Sequence, residues 1–125
     1  MTDQEQIVKN YIEAYNNFDI EGMLNDLHPD ILFENVSGGK TDLTLRGIFD
    51  FEQQARKAIA FFSQRKQAIT SINKNNNTVT VDINYTGILA QDLPNGMKKG
   101  DTITLKGRSI FDFKDRKITH IRDES

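Results

Sequence analysis

Few side chains in this chain are placed to do chemistry. Asp123 lies in the segment Lys117–Asp123, where strand alternation puts it on the face of Ile121 and turns His120 and Arg122 away. If that face lines an apolar pocket, desolvation raises the carboxyl pKa and makes Asp123 a general acid or base. If the strand frays, it is an ordinary solvated acid. Tyr11 and Tyr15 are four apart and share one helical face. A hydroxyl there can orient a substrate carbonyl, or both rings can pack in the core with their hydroxyls satisfied locally. Asn35 can offer its amide to a ligand or cap the turn at Ser37-Gly38. Ser109 adds a hydroxyl on a strand face shared with Phe111.

Other chemistries are excluded or poorly supported. With no cysteine, there are no disulfides, thiolate metal sites, iron–sulfur clusters or cysteine nucleophiles. The only histidines, His28 and His120, are far apart, so no HExxH metal helix exists. His28 reads as a structural residue at a helix exit. Gly39-Lys40-Thr41 resembles part of a phosphate loop, but Glu34 stands where its first glycine belongs. No GxSxG elbow surrounds a serine. We therefore expect no metal and no cofactor.

The 125 residues are one domain's worth of chain. The net charge of −2, from 16 basic and 18 acidic residues, argues against a nucleic-acid partner. The basic pairs Arg65-Lys66, Lys98-Lys99 and Arg116-Lys117 read as solvated turns. The longest apolar run, Ala58–Phe62, is too short to span a bilayer, so no membrane partner is expected. The polar, acidic start has no signal-peptide pattern, and the expected location is the cytoplasm.

Elements able to position these residues follow from periodicity. Ile7, Val8, Tyr11, Ile12, Tyr15 and Phe18 predict an amphipathic helix over about 4–18. A second helix over about 20–27 follows, with Asp19 as N-cap and Pro29 closing the segment. Ile31–Val36 reads as a strand ended by Ser37-Gly38-Gly39, and Thr41–Arg46 as another. Gly47 opens a third helix, about 49–63. Gln67–Asn73, Thr78–Leu89, Asp101–Lys114 and Lys117–Asp123 read as strands, and the alternation in Thr78–Leu89 is the clearest. The fold class is α+β, three helices packed on a strongly curved antiparallel sheet. Long strands curl, and a curled sheet around a helix leaves a conical cavity.

Ile7–Met23, with its Asn16-Asn17-Phe18-Asp19-Ile20-Glu21-Gly22, resembles the opening of SnoaL-like proteins of the nuclear transport factor 2-like superfamily, to which ketosteroid isomerase and limonene-epoxide hydrolase belong. His28-Pro29-Asp30-Ile31-Leu32-Phe33, Gly47 and Lys117–Asp123 fit the same pattern. The resemblance covers nearly the whole chain and implies a single SnoaL-like domain, residues 1–125, with a cystatin-like cone. Carried across position by position, the steroid-isomerase tyrosine falls at Tyr11, its base at Asn35 and its second acid near Ser109. Two of three roles are thus lost, and steroid isomerisation is not expected. The cyclase and epoxide-hydrolase branches place an Arg-Asp pair on the last strand, matched by Arg122-Asp123. Arg108 lies near the position of a second arginine of the epoxide-hydrolase branch, but parity with Phe111 points it outward.

The expected pocket walls are Tyr11, Tyr15, Phe33, Phe51, Ile59, Val81, Ile83, Leu105, Phe111 and Ile121, with Asn35, Ser109 and Asp123 as polar points. The expected partner is a small apolar or cyclic ligand. The chain either catalyses cofactor-free acid/base chemistry, of cyclase, isomerase or hydrolase type, or serves as a non-catalytic binding or dimerisation module. The resemblance also implies a homodimer, formed through an outer sheet face carrying Thr80, Asp82, Asn84, Thr86, Ile110 and His120.

Overall fold

Thr2 starts the first helix by closing a capping box: Glu5 N donates to Thr2 Oγ1, and Thr2 N donates to Glu5 Oε1. The computed structural model describes residues 2–125. Helix α1 (Asp3–Asn16) buries Ile7, Val8, Tyr11 and Ile12 of the predicted stripe, together with Ala14, while Tyr15 and Phe18 are only half-buried. It ends at Asn16, two residues short of the expected end, and Phe18, with a φ of 58°, reverses the chain. Asp19 then caps α2 (Ile20–Leu24) by accepting from Gly22 N, as expected, although α2 is shorter than its apolar pattern.

Six strands follow: β1 (Leu27–Ser37), β2 (Lys40–Arg46), β3 (Phe62–Asn75), β4 (Thr78–Leu89), β5 (Thr102–Lys114) and β6 (Lys117–Glu124). Helix α3 (Ile48–Ile59) separates β2 from β3. The strands form one curved, open sheet in the order β2-β1-β6-β5-β4-β3. β1 and β2 are joined by Gly38-Gly39, both at positive φ, the two-residue turn whose twist suits a hairpin.

Four features differ from the sequence reading. The sheet is mixed, because β6 lies parallel to β1 and antiparallel to β5. Pro29 ends no helix and sits inside β1, in the register shift between Leu27 and Leu32 where a missing N–H breaks no ladder bond. Helix α3 stops at Ile59 rather than near residue 63, and Phe62 opens a β3 longer than expected. Arg65, expected in a solvated turn, is buried on β3.

Two cross-strand rows organise the concave face. Phe33, Ile121, Phe111 and Val79 are successive register partners across β1, β6, β5 and β4. They pack against Val8, Tyr11 and Phe51 as the centre of the core. Truncating Ile121 or Phe111 to alanine would cost about 2–5 kcal/mol. The next row on this face is Asn35, Asp123, Ser109 and Val81. The floor is thus apolar, and a polar row runs directly above it.

Candidate functional site

Asp123 stands in the middle of that polar row because β6 is threaded between β1 and β5. Gly107 on β5 lets the strands approach there: a Cβ would come within 2.8 Å of the Glu124 carbonyl oxygen. Ser109 Oγ donates to Asp123 Oδ1 at 2.7 Å. Burial outweighs that hydrogen bond and pushes the carboxyl up to about 6. The residue keeps some accessible surface, and that surface opens inward, since Asp123 lines two adjoining cavities.

The larger cavity, about 350 Å³, includes Asn35, Ile83, Tyr85, Leu105 and Ser109. The smaller, about 210 Å³, lies under α3 and includes Tyr11, Phe33, Phe51, Met23 and Arg65. Tyr15, Asn35 and Asp123 line both, so one polar seam joins the two.

The tyrosines divide in role. Tyr11 is 7% exposed, with its ring edge-on to Phe111 at 5.5 Å between centroids. Among the described residues no group hydrogen-bonds its hydroxyl, yet that hydroxyl is not sealed off, so it faces the cavity it lines. Burial first, and the nearby Asp123 second, hold its pKa well above the ordinary phenol value. Tyr11 is therefore a neutral donor without a protein acceptor. Tyr15 is satisfied: its Oη lies 2.9 Å from Tyr85 Oη. Burial raises both phenols of that pair.

Asn35 commits its amide nitrogen to the rim, donating to Asp42 Oδ1 at 2.8 Å and to Ser37 Oγ at 3.3 Å. Arg122 faces away from Asp123, with its Nε 3.0 Å from Glu124 Oε2. Arg108 binds Asp82 at 2.9 Å. His28 accepts from the Asp30 amide at 3.0 Å, a local contact.

The expected wall needs correction. Val81, Phe111 and Ile121 are sealed in the core beneath the cavities rather than along them. Ile59 packs against that core and lines neither cavity. Leu105 does line the larger cavity but is 40% exposed, at its mouth. Tyr85 and Arg65 were missing from the candidate set. Tyr85 follows Ile83 in the alternation of β4, and its inward parity was the signal. Arg65 shares inward parity with Ile69 and Gln67 once β3 is extended back to Phe62. Among the described residues no group of acids and histidines could hold a metal ion. No described helix is long and apolar enough to cross a membrane.

A family model for the SnoaL-like domain matches residues 8–121. The chain belongs to the SnoaL-like family. No curated protein matches the sequence. Solved structures share the fold of this SnoaL-like chain. One is a proposed polyketide cyclase of Xanthomonas campestris pv. campestris, 20% identical, with a TM-score of 0.83, covering 99% of this chain and 93% of that one. Another is an LEH-like epoxide hydrolase of M. tuberculosis, 19% identical, with a TM-score of 0.79 and coverage of 98% and 81%. A third is an uncharacterized cystatin-fold protein of Novosphingobium aromaticivorans, 17% identical, with a TM-score of 0.78 and coverage of 98% and 97%. At these identities the likenesses show the α+β, cystatin-like fold alone.

Proposed function

We propose that the SnoaL-like chain binds a small apolar cyclic carbonyl compound in the conical hollow and moves a proton on it without a cofactor. Asp123 is the general base. With its carboxyl near pH 6 it is mostly ionised at neutral pH, yet basic enough to take a proton from the carbon beside a carbonyl. The Tyr11 hydroxyl, unpartnered and neutral, donates to the oxygen on which charge develops. Ser109 holds Asp123 in place and then supports its protonated form while the proton is returned to the substrate. Proton abstraction and return of this kind underlie both isomerisation and aldol-type ring closure. The observation that carries the reading is the pairing, along one cavity, of a buried acid held by a single hydroxyl with a tyrosine donor that has no protein acceptor.

The test is α-proton exchange of 2-tetralone in D₂O, followed by NMR. The wild-type chain should accelerate deuterium uptake, with a rate that rises with pH through about 6. Asp123→Asn should lower that rate by roughly 10²–10⁴-fold while tetralone affinity is kept. Unchanged exchange in this variant would remove Asp123 from the mechanism.

A second reading, binding without chemistry, is favoured by the commitment of the Asn35 amide to Ser37 and Asp42. The steroid-isomerase base position thus holds a rim contact. Tetralone binding with no accelerated exchange in the wild type would select that reading.

A further inference from the structure

Arg65 is used by neither the core nor the proposed proton transfer, and its position demands an account. It is 5% exposed, on a strand facing the hollow. The surroundings hold the guanidinium without neutralising it. Its Nε donates to the Tyr15 carbonyl at 2.8 Å, near the negative C-terminal end of α1. The guanidinium carbon lies 3.7 Å from the Tyr15 ring centroid and 4.7 Å from that of Phe18. Phe18 is held there by its left-handed backbone. One terminal nitrogen reaches only the Met23 sulfur, at 3.9 Å, a weak acceptor.

A guanidinium carries five N–H donors, and these contacts occupy the Nε–H well and one terminal N–H poorly. Among the described residues no carboxylate pairs with Arg65, and its Nη1, which has no hydrogen-bond partner, is not sealed off. Asp123, the acid of the same cavity, does not serve as its counter-ion. Its carboxylate instead accepts from Ser109 Oγ at 2.7 Å. The cavity therefore contains a fixed cation at one end, already stripped of water and oriented by two ring faces, with donor capacity to spare.

We propose that Arg65 is the anion-recognition point of the hollow and that the ligand is an apolar ring system bearing a carboxylate, seated on this guanidinium. The inference rests on reading the hollow as a ligand site, and it names the class of ligand. A planar carboxylate fits the guanidinium fork, and the charge-assisted bonds form where little competing water remains. Arg65, Tyr11 and Asp123 line one cavity, so the carboxylate end is fixed at β3 and the rest of the ligand extends along the polar seam toward Asp123.

The experiment compares 2-naphthoate with its neutral methyl ester by calorimetry at neutral pH. The wild type should bind the naphthoate about tenfold more tightly than the ester. Arg65→Met keeps the apolar stem and should abolish that preference while retaining ester binding, whereas Arg65→Lys should keep part of it. Equal binding of the two probes by the wild type overturns the assignment of Arg65 and leaves the hollow a ligand site. Failure of both probes to bind overturns the assignment together with the ligand-site reading. A preference that survives in Arg65→Met also overturns it. If the methionine variant fails to fold, Arg65→Gln, which keeps polar donors without the charge, should lose the preference, and a preference that survives there overturns the assignment.

Discussion

The two faces of the sheet carry polar trios drawn from the same three strands. On the convex face His120 of β6 lies between Glu34 of β1 and Asp112 of β5. Its Nε2 is 2.7 Å from Glu34 Oε1 and its Nδ1 is 3.2 Å from Asp112 Oδ2. Thr78 completes the set by donating to Asp112 at 2.7 Å. On the concave face Asp123 of β6, three residues beyond His120, lies between Asn35 of β1 and Ser109 of β5. The outer trio has both ring nitrogens engaged and stands in partial contact with water. The inner one rests on a single hydrogen bond and opens onto a cavity. Clustering of polar groups therefore does not mark a site. The proposed site rests instead on unspent hydrogen-bonding capacity in a desolvated place, a property that Tyr11 and Arg65 share with Asp123.

Three measurements sharpen or break this contrast. The largest effect is expected from Tyr11→Phe, which removes a donor that no protein group uses. Tetralone exchange should fall about 10²-fold with little change in thermal stability. A large loss of stability instead would make Tyr11 a structural residue. The second is the stability of Asp123→Asn as a function of pH. Because the folded carboxyl is raised to about 6 from its ordinary value of 3.8, wild-type stability from this group is complete in acid. It declines as the pH rises through about 6. The variant should be more stable than wild type by about 2 kcal/mol at pH 8, and the gap should close near pH 4. Denaturant melts at the two pH values read this directly, and a gap independent of pH would mean that Asp123 is not desolvated. The smallest effect belongs to the outer trio. His120→Ala should cost under about 1 kcal/mol in the same melts and leave exchange unchanged. A substantial rate loss would erase the distinction between the faces.

Legibility in the sequence followed the range of the interactions. The β4 boundaries coincide with the alternating segment Thr78–Leu89, because period-2 patterning is a local signal. The Asp19 cap was equally local. The end of α3 was not readable, since Ala58–Phe62 is apolar throughout and looks the same as helix or strand. That uncertainty displaced the start of β3 and hid Arg65, whose neighbour Lys66 made the pair look solvated. The parallel pairing of β1 with β6 joins segments far apart in the chain, and no local pattern encodes it. Asp123 was legible by parity with Ile121. Its bond to Ser109 depends on the register of β5 against β6, which only the folded sheet supplies.

The position of β6 has a consequence for how the hollow comes into being. Sixth in chain order, it is third across the sheet. Until it inserts, the β1–β2 hairpin and the β3–β4–β5 meander are separate pieces with raw edges, prone to joining a neighbouring molecule. Long-range closure of this sort is slow, so maturation should be limited by a late zippering step. The carboxylate arrives with that step, and a half-assembled chain carries no misplaced acid.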